Sequence, residues 1–204
     1  WVKCRNTSGN GFDHVVFDTS RGVDNNVDKA LSPSQTDSEG LGDNVTTTAQ
    51  LGGVSAMLSD GFTVREGTLD NDARYVNESS RTYVGWQWKA NGGTKTSFSE
   101  SGNNPAGTHQ ANTTAGFSIV THVGTGSAGT IAHGLSAAPE WILTKGLDQA
   151  HAWITAHKSV GFDKNTLFNT TDAFASDSTY NNSDPTSSVF TVKNQGGVNN
   201  DGEN

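Results

Sequence analysis

Apolar residues fall along this chain in short runs of Val, Ile, Phe, Thr, Tyr and Trp, separated by clusters of Gly, Asn, Asp and Ser. Runs of this length and spacing predict half-buried β-strands joined by turns. They cover 1–5, 14–18, 61–65, 83–89, 116–123, 130–135, 141–145, 152–157 and 188–193. No stretch long enough for an ordinary helix holds a helical period, and only 43–58, "DNVTTTAQLGGVSAML", has room for one helical turn. The two-residue period of a strand also sets the facing of side chains. In "YVGWQWK", Val84, Trp86 and Trp88 share one face, which predicts both tryptophans in the core. In "AWITAH", Ala152, Ile154 and Ala156 are expected to face inward, leaving Trp153, Thr155 and His157 on the opposite face.

The order of these signals in the first half recurs in the second. "WVKCR" (1–5) matches "WILTK" (141–145), and "HVVFDTSRGVDNN" (14–26) matches "WITAHKSVGFDKN" (153–165), which sets Gly22 on Gly161 and Asp24 on Asp163. Further on, "GFTVR" (61–65) matches "VFTVK" (189–193), and the Val-Asn pair at 76–77 matches that at 198–199. The first copy has a closing strand, "TYVGWQWKA" (82–90), with no equivalent in the second, and the second has opening strands at 116–123 and 130–135 with no equivalent in the first. The expected organisation is a first β module over 1–90 lacking its opening strands, a linker rich in Gly, Ser, Thr and Asn over 91–115, and a second β module over 116–204 lacking its closing strand. An edge strand at 94–99 fits within the linker. On this reading the chain is a fragment of a longer one, with the first copy's opening hairpin upstream of Trp1. The first copy departs from the second at 24–40, where the strand expected after the Gly22 turn is weak.

One stretch tests whether a nucleotide is bound. "HVGTGSAGTIAHG" (122–134) contains Gly124-x-Gly126-x-x-Gly129, the spacing of a dinucleotide-binding loop. That loop cradles a pyrophosphate only when a helix follows it, and here "TIAHGL" brings β-branched residues, Gly134 and then Pro139. A turn of a hairpin between two antiparallel strands is the expected structure.

Composition narrows the function classes. Hydrophobic residues make up 32% and charged residues 17% of the 204, so neutral polar residues carry solubility and five Trp and nine Phe carry the core. With 13 Lys and Arg, a net charge of -8 and no basic cluster, nucleic acid is excluded as an expected partner. No apolar run approaches the roughly 20 residues of a membrane-spanning helix, so no membrane role is expected. Cys4 is the single cysteine and reads as a small buried hydrophobe. The six histidines, at 14, 109, 122, 133, 151 and 157, show no spacing suited to a metal site. No acidic pair for glycoside hydrolysis and no Gly-x-Ser-x-Gly elbow occurs, so no catalytic residues and no cofactor are expected. The loops at 70–78 and 199–204 carry oxygen ligands without the spacing of an EF-hand, which leaves calcium as a weak reading beside a solvated turn. A face with Trp153 and His157 in one copy and His14 and Asp18 in the other is the candidate surface for contact with a ligand or another subunit. The competing reading has those residues pack a second sheet or a subunit interface.

The phrases "AGFSIVTHVGTGSAGTIAHGLSAAPEWILTKG", "FNTTDAF" and "DPTSSVFTVKNQGGVN", with "VFDTSRG" and "YVGWQWKANGG" in the first copy, resemble a repeat module of virion structural and tail-fibre-like proteins of marine bacteriophages. That resemblance implies an all-β chain of two tandem antiparallel β-sandwich, jelly-roll-like modules with little helix. It implies a non-enzymatic, extracellular part of a virion fibre, spike or other appendage, homo-oligomeric with a trimer favoured, touching other virion proteins and host-surface glycans. The module lends no catalytic residues. The alternatives are a polysaccharide-degrading enzyme carried on such an appendage and a calcium-dependent lectin module.

Overall fold

A computed structural model describes residues 1–5, 13–23, 29–40, 52–66, 76–180 and 182–204. The chain divides into two compact units between Gln87 and Trp88. Both are built from antiparallel strands, and there is no α-helix among the described residues.

In the first unit, β1 (Val2–Cys4) pairs with β4 (Tyr83–Gly85) in the register Val2 to Gly85, Lys3 to Val84 and Cys4 to Tyr83. The pairing runs on past the strand ends, with the Trp86 amide donating to Trp1 O (2.8 Å) and the Arg5 amide to Thr82 O (2.7 Å). On the other edge of β1, Val2 and Val15 exchange both backbone bonds (2.8 and 3.0 Å), and Val16 does the same with Leu31 (2.8 and 3.1 Å). β2 (Gly53–Met57) and β3 (Phe62–Arg65) form a hairpin whose register shifts between Val54 and Ala56. Val2, Val15, Phe17, Val23, Ala30, Val54 and Val76 make the core, with Phe62, Val64 and Tyr83 packed against it.

The second unit opens with a meander of β5 (Thr96–Phe98), β6 (Gly107–Asn112) and β7 (Phe117–His122). β8 (Gly129–Ala132) pairs with β13 (Val189–Val192). A four-stranded sheet runs in the order β9 (Trp141–Thr144), β10 (Ile154–His157), β11 (Lys164–Leu167) and β12 (Ala175–Ser176). Its core holds Ile131, Ile142, Ile154, Ala156, Phe162, Tyr180, Phe190, Val192 and Val198. The Tyr180 hydroxyl, fully buried, is hydrogen-bonded to Thr144 Oγ1.

The sequence alignment sets Val2 on Ile142, Val15 on Ile154, Phe17 on Ala156, Val23 on Phe162, Phe62 on Phe190, Val64 on Val192 and Val76 on Val198, and every one of these positions belongs to the core of its own unit or packs against it. Gly22 and Gly161 also match in conformation, with φ of 99° and 90°.

Three expectations are corrected, and a fourth falls largely outside the described residues. The segment 91–115 is not a linker, because it contributes β5 and β6 to the second unit. Its small polar residues suit a half-exposed strand as well as a loop: Thr108 meets Thr121 across the β6–β7 pair (2.9 Å), and the fully buried Gln110 accepts the Gly93 amide (2.8 Å). Of the stretch 43–58, with room for one helical turn, the described residues hold a strand, β2. Its residues 43–51 lie outside the described ones. β7 and β8 do not form a hairpin, since β7 pairs with β6 and β8 with β13. Finally, the face shared by Val84 and Trp86 points outward: Tyr83, of opposite parity, packs on the core, and Trp86 and Trp88 are 44% and 53% exposed.

The glycine stretch has another explanation. The amides of Gly124, Thr125 and Gly126 donate to Glu203 O (2.7 Å), Asn199 Oδ1 (3.0 Å) and Asn199 O (3.0 Å), and Gly202 returns a bond to Gly124 O (2.9 Å). A Cβ on Gly124 would lie 1.9 Å from Asn200 O, so only glycine allows residues 199–203 to dock this closely. The amides that would cradle a phosphate are taken by the protein's own carbonyls.

Candidate contact face

Three strands place the predicted face of the second unit. Across β9 and β10, Trp141 opposes His157, Leu143 opposes Thr155 and Ile142 opposes Ala156. Phe168 extends β11 by donating its amide to Trp153 O (2.8 Å). Ile142, Ile154 and Ala156 therefore face the core, as expected, and Trp141, Leu143, Trp153, Thr155, His157 and Phe168 share the other side.

That side is layered. Trp141 lies across it, its Nε1–H donating to Thr155 Oγ1 (2.6 Å) and its ring 6.2 Å from that of Phe168. Trp141 is 50% exposed, whereas Trp153 is only 6% exposed. The outward expectation thus has the parity right and the accessibility wrong for Trp153, which is buried.

The remaining candidate residues serve local structure. Asp18 Oδ1 accepts the amides of Ser20 (2.9 Å) and Arg21 (3.0 Å), and Asp18 Oδ2 pairs with Arg21 Nη2 (2.6 Å). Arg21, 6% exposed at its side chain, also reaches Glu39 Oε1 (3.1 Å) and Lys29 O (2.5 Å), so one buried guanidinium ties the 18–21 turn to residues 29–39. His157, aligned with Asp18, caps its own turn alike: its Nδ1 accepts the Ser159 amide (3.1 Å). The two residues are one turn-capping position filled by different chemistry. His14 accepts Trp1 Nε1–H at Nδ1 (2.9 Å), and its pKa is lowered by burial first and by the Lys3 charge second, against an opposing pull from Asp13. Trp1 stacks edge-on to both His14 (5.7 Å) and Trp86 (6.3 Å).

A second aromatic surface forms around Trp88, which strand alternation alone places in the core and which is exposed. Trp88 stacks on Phe117 at 5.9 Å, and Phe117 opposes Asn112 across β6 and β7. Asn112 Nδ2 donates to Lys89 O (3.0 Å). The two residues line an open depression of about 480 Å³ together with Ala90, Asn91, Gly92, Ala111 and Thr113.

No group of three or more His, Cys, Asp or Glu side chains placed to hold a metal occurs among the described residues. The histidines are engaged singly: His122 Nε2 with Val198 O (2.7 Å), His133 Nε2 with Thr186 O (3.2 Å) and His151 Nε2 with Glu203 Oε2 (3.3 Å).

A family profile described as Domain of unknown function (DUF7483) matches residues 1–204, and the chain belongs to that family. No curated protein and no solved structure matches it.

Proposed function

We propose that this member of the DUF7483 family is a non-enzymatic structural module of a bacteriophage virion, part of a tail fibre, spike or other surface appendage outside the cell. Each unit is read as a sandwich-like module, and the chain as a homo-oligomer, a trimer, that packs against other virion proteins and touches host-surface glycans. One observation supports the reading: two all-β units with aligned core positions follow one another along the chain, as in a protein built of repeated modules. The polar, β-rich composition and the phrases that resemble phage virion modules support it. The exposed Trp88 and Trp141 supply surfaces for sugar stacking without a cofactor.

The test is mass spectrometry of virions purified from the phage that encodes the chain, which should contain it; its absence would overturn the reading. Light scattering is expected to give three times the 21.4 kDa of the chain. On a glycan array, binding is expected to survive a chelator and to drop at least about tenfold in Trp88→Ala. Binding that needs calcium would favour a lectin of the metal-dependent kind.

A further inference from the structure

The two units differ at one sheet edge. In the first, β1 has the residue 15–16 segment on one side and β4 on the other. In the second, β9, the strand aligned with β1, has β10 on one side and no strand on the other among the described residues. The bond from the Lys158 amide to Glu140 O (2.8 Å) fixes the parity of the β9–β10 ladder. Residues 140, 142 and 144 bond to β10, so the N–H and C=O of Trp141 and Leu143 point to the open edge. Their aligned residues, Trp1 and Lys3, point their backbone groups at Trp86 and Val84 of the β4 segment. Side chains tell the same story. The Trp1 and Trp86 rings meet at 75° with centroids 6.3 Å apart, while Trp141 stands 50% exposed.

We infer that the open edge of β9 is a strand-acceptor site, taking an antiparallel extended segment of the β4 kind. The occupant has the pattern Tyr-Val-Gly-Trp: a Val and a Trp two apart whose backbones bond Leu143 and Trp141, the Trp lying over Trp141, and a Gly between them. The first unit shows this occupant seated on the equivalent edge, so the chemistry of the partner is read from the same molecule. Backbone bonds supply affinity and the tryptophan pair supplies register. The inference stands independently of the virion reading.

The probe is a labelled peptide of residues 80–90 added to the full chain and followed by fluorescence anisotropy and amide hydrogen exchange. Saturable one-to-one binding that slows exchange at Trp141 and Leu143 by at least about tenfold is expected. N-methylation of the peptide at Val84 and Trp86 should abolish binding, because those amides face the acceptor; N-methylation at Tyr83 and Gly85, whose amides face away, should not. Leu143→Pro removes the open-edge amide and leaves the bonds to β10, so it should lose binding while folded. The methylated peptides keep the test decisive if that variant does not fold. Equal binding of all methylated forms, protection at Lys3 instead of Leu143, or self-association of the chain with no peptide uptake would overturn the inference.

Discussion

At the scale of single residues, the two units solve one packing problem with different side chains. Phe17 and Val23 in the first core are aligned with Ala156 and Phe162 in the second, so the large residue has changed places and the second pair is smaller by two carbon atoms. Cores tolerate an exchange best when the loss at one position is offset at its neighbour, and they suffer when only one partner changes. Phe17→Ala alone is expected to cost about 3 kcal/mol, as a buried phenylalanine removed from a packed core does. Adding Val23→Phe, which imports the arrangement of the second unit, should recover at least about 1 kcal/mol. Urea denaturation of the two single variants and the double variant measures the coupling, and strict additivity would show that the two positions do not share space. Arg21 poses the opposite problem, because its guanidinium holds the carboxylates of Asp18 and Glu39 out of water. Arg21→Met leaves both acids without their shared cation and is expected to cost about 3 kcal/mol. Hydrogen exchange within residues 13–23 and 29–40 should report that loss.

At the scale of elements, what the sequence made legible was what local pattern encodes. β1, β3, β7, β9, β10 and β13 lie where alternating Val, Ile, Phe and Trp predict them. β6 is not signalled, because Gly-Thr-His-Gln-Ala-Asn carries too few apolar residues; it is held by β5 and β7, its neighbours along the chain. Pairing was less legible than position. The alignment would set Val2 against Phe17, by analogy with Ile142 and Ala156, yet Val2 opposes Val15. A slip of two residues keeps every side chain on its face, so sequence alternation cannot distinguish the registers. Likewise β3 pairs with β2 from just upstream, whereas its counterpart β13 pairs with β8 from the start of its unit. The first unit thus fills from within the place of the opening strand that it was expected to lack. Of the candidate site, the facing of β10 was legible and the layering above it was not, since the cover over Thr155 comes from Trp141 on the neighbouring strand. The glycine loop is where close approach can be tested directly. In Gly124→Ala the new Cβ meets the Asn200 carbonyl, and undocking of residues 199–203 with a loss of about 3 kcal/mol is expected. Gly116→Ala meets nothing within 4 Å but keeps a φ of 66°, and should cost only about 1 kcal/mol. An equally small loss for both would mean that residues 199–203 give way to the new Cβ, and the close approach would not require glycine at 124.

At the scale of the whole molecule, stability is set at both ends of the pH range by neutral groups in the two cores and their margins. His14 in the first unit and His122 and His133 in the second all have pKa values lowered from the ordinary 6.5, with burial the largest cause in each. A histidine held neutral in the folded chain takes up its proton in the unfolded chain first. Below about pH 6.5 the unfolded state therefore binds more protons, and stability falls as pH falls toward the folded values. Tyrosines act at the other limit: burial pushes Tyr83 up to about 12 and raises Tyr180 as well, so the unfolded chain ionises first above pH 10 and stability falls as pH rises. The melting temperature is expected to plateau between about pH 7 and 10 and to decline on both sides. His122→Gln separates this from general acid effects. Glutamine can still donate to Val198 O, as the neutral Nε2–H of His122 does at 2.7 Å, but it does not titrate. The variant should match the parent at pH 7.5 and retain more of its melting temperature at pH 5. A parallel decline of both proteins would assign the acid loss to carboxylates, and with it the burial of His122 would cease to matter for how the second unit withstands acid.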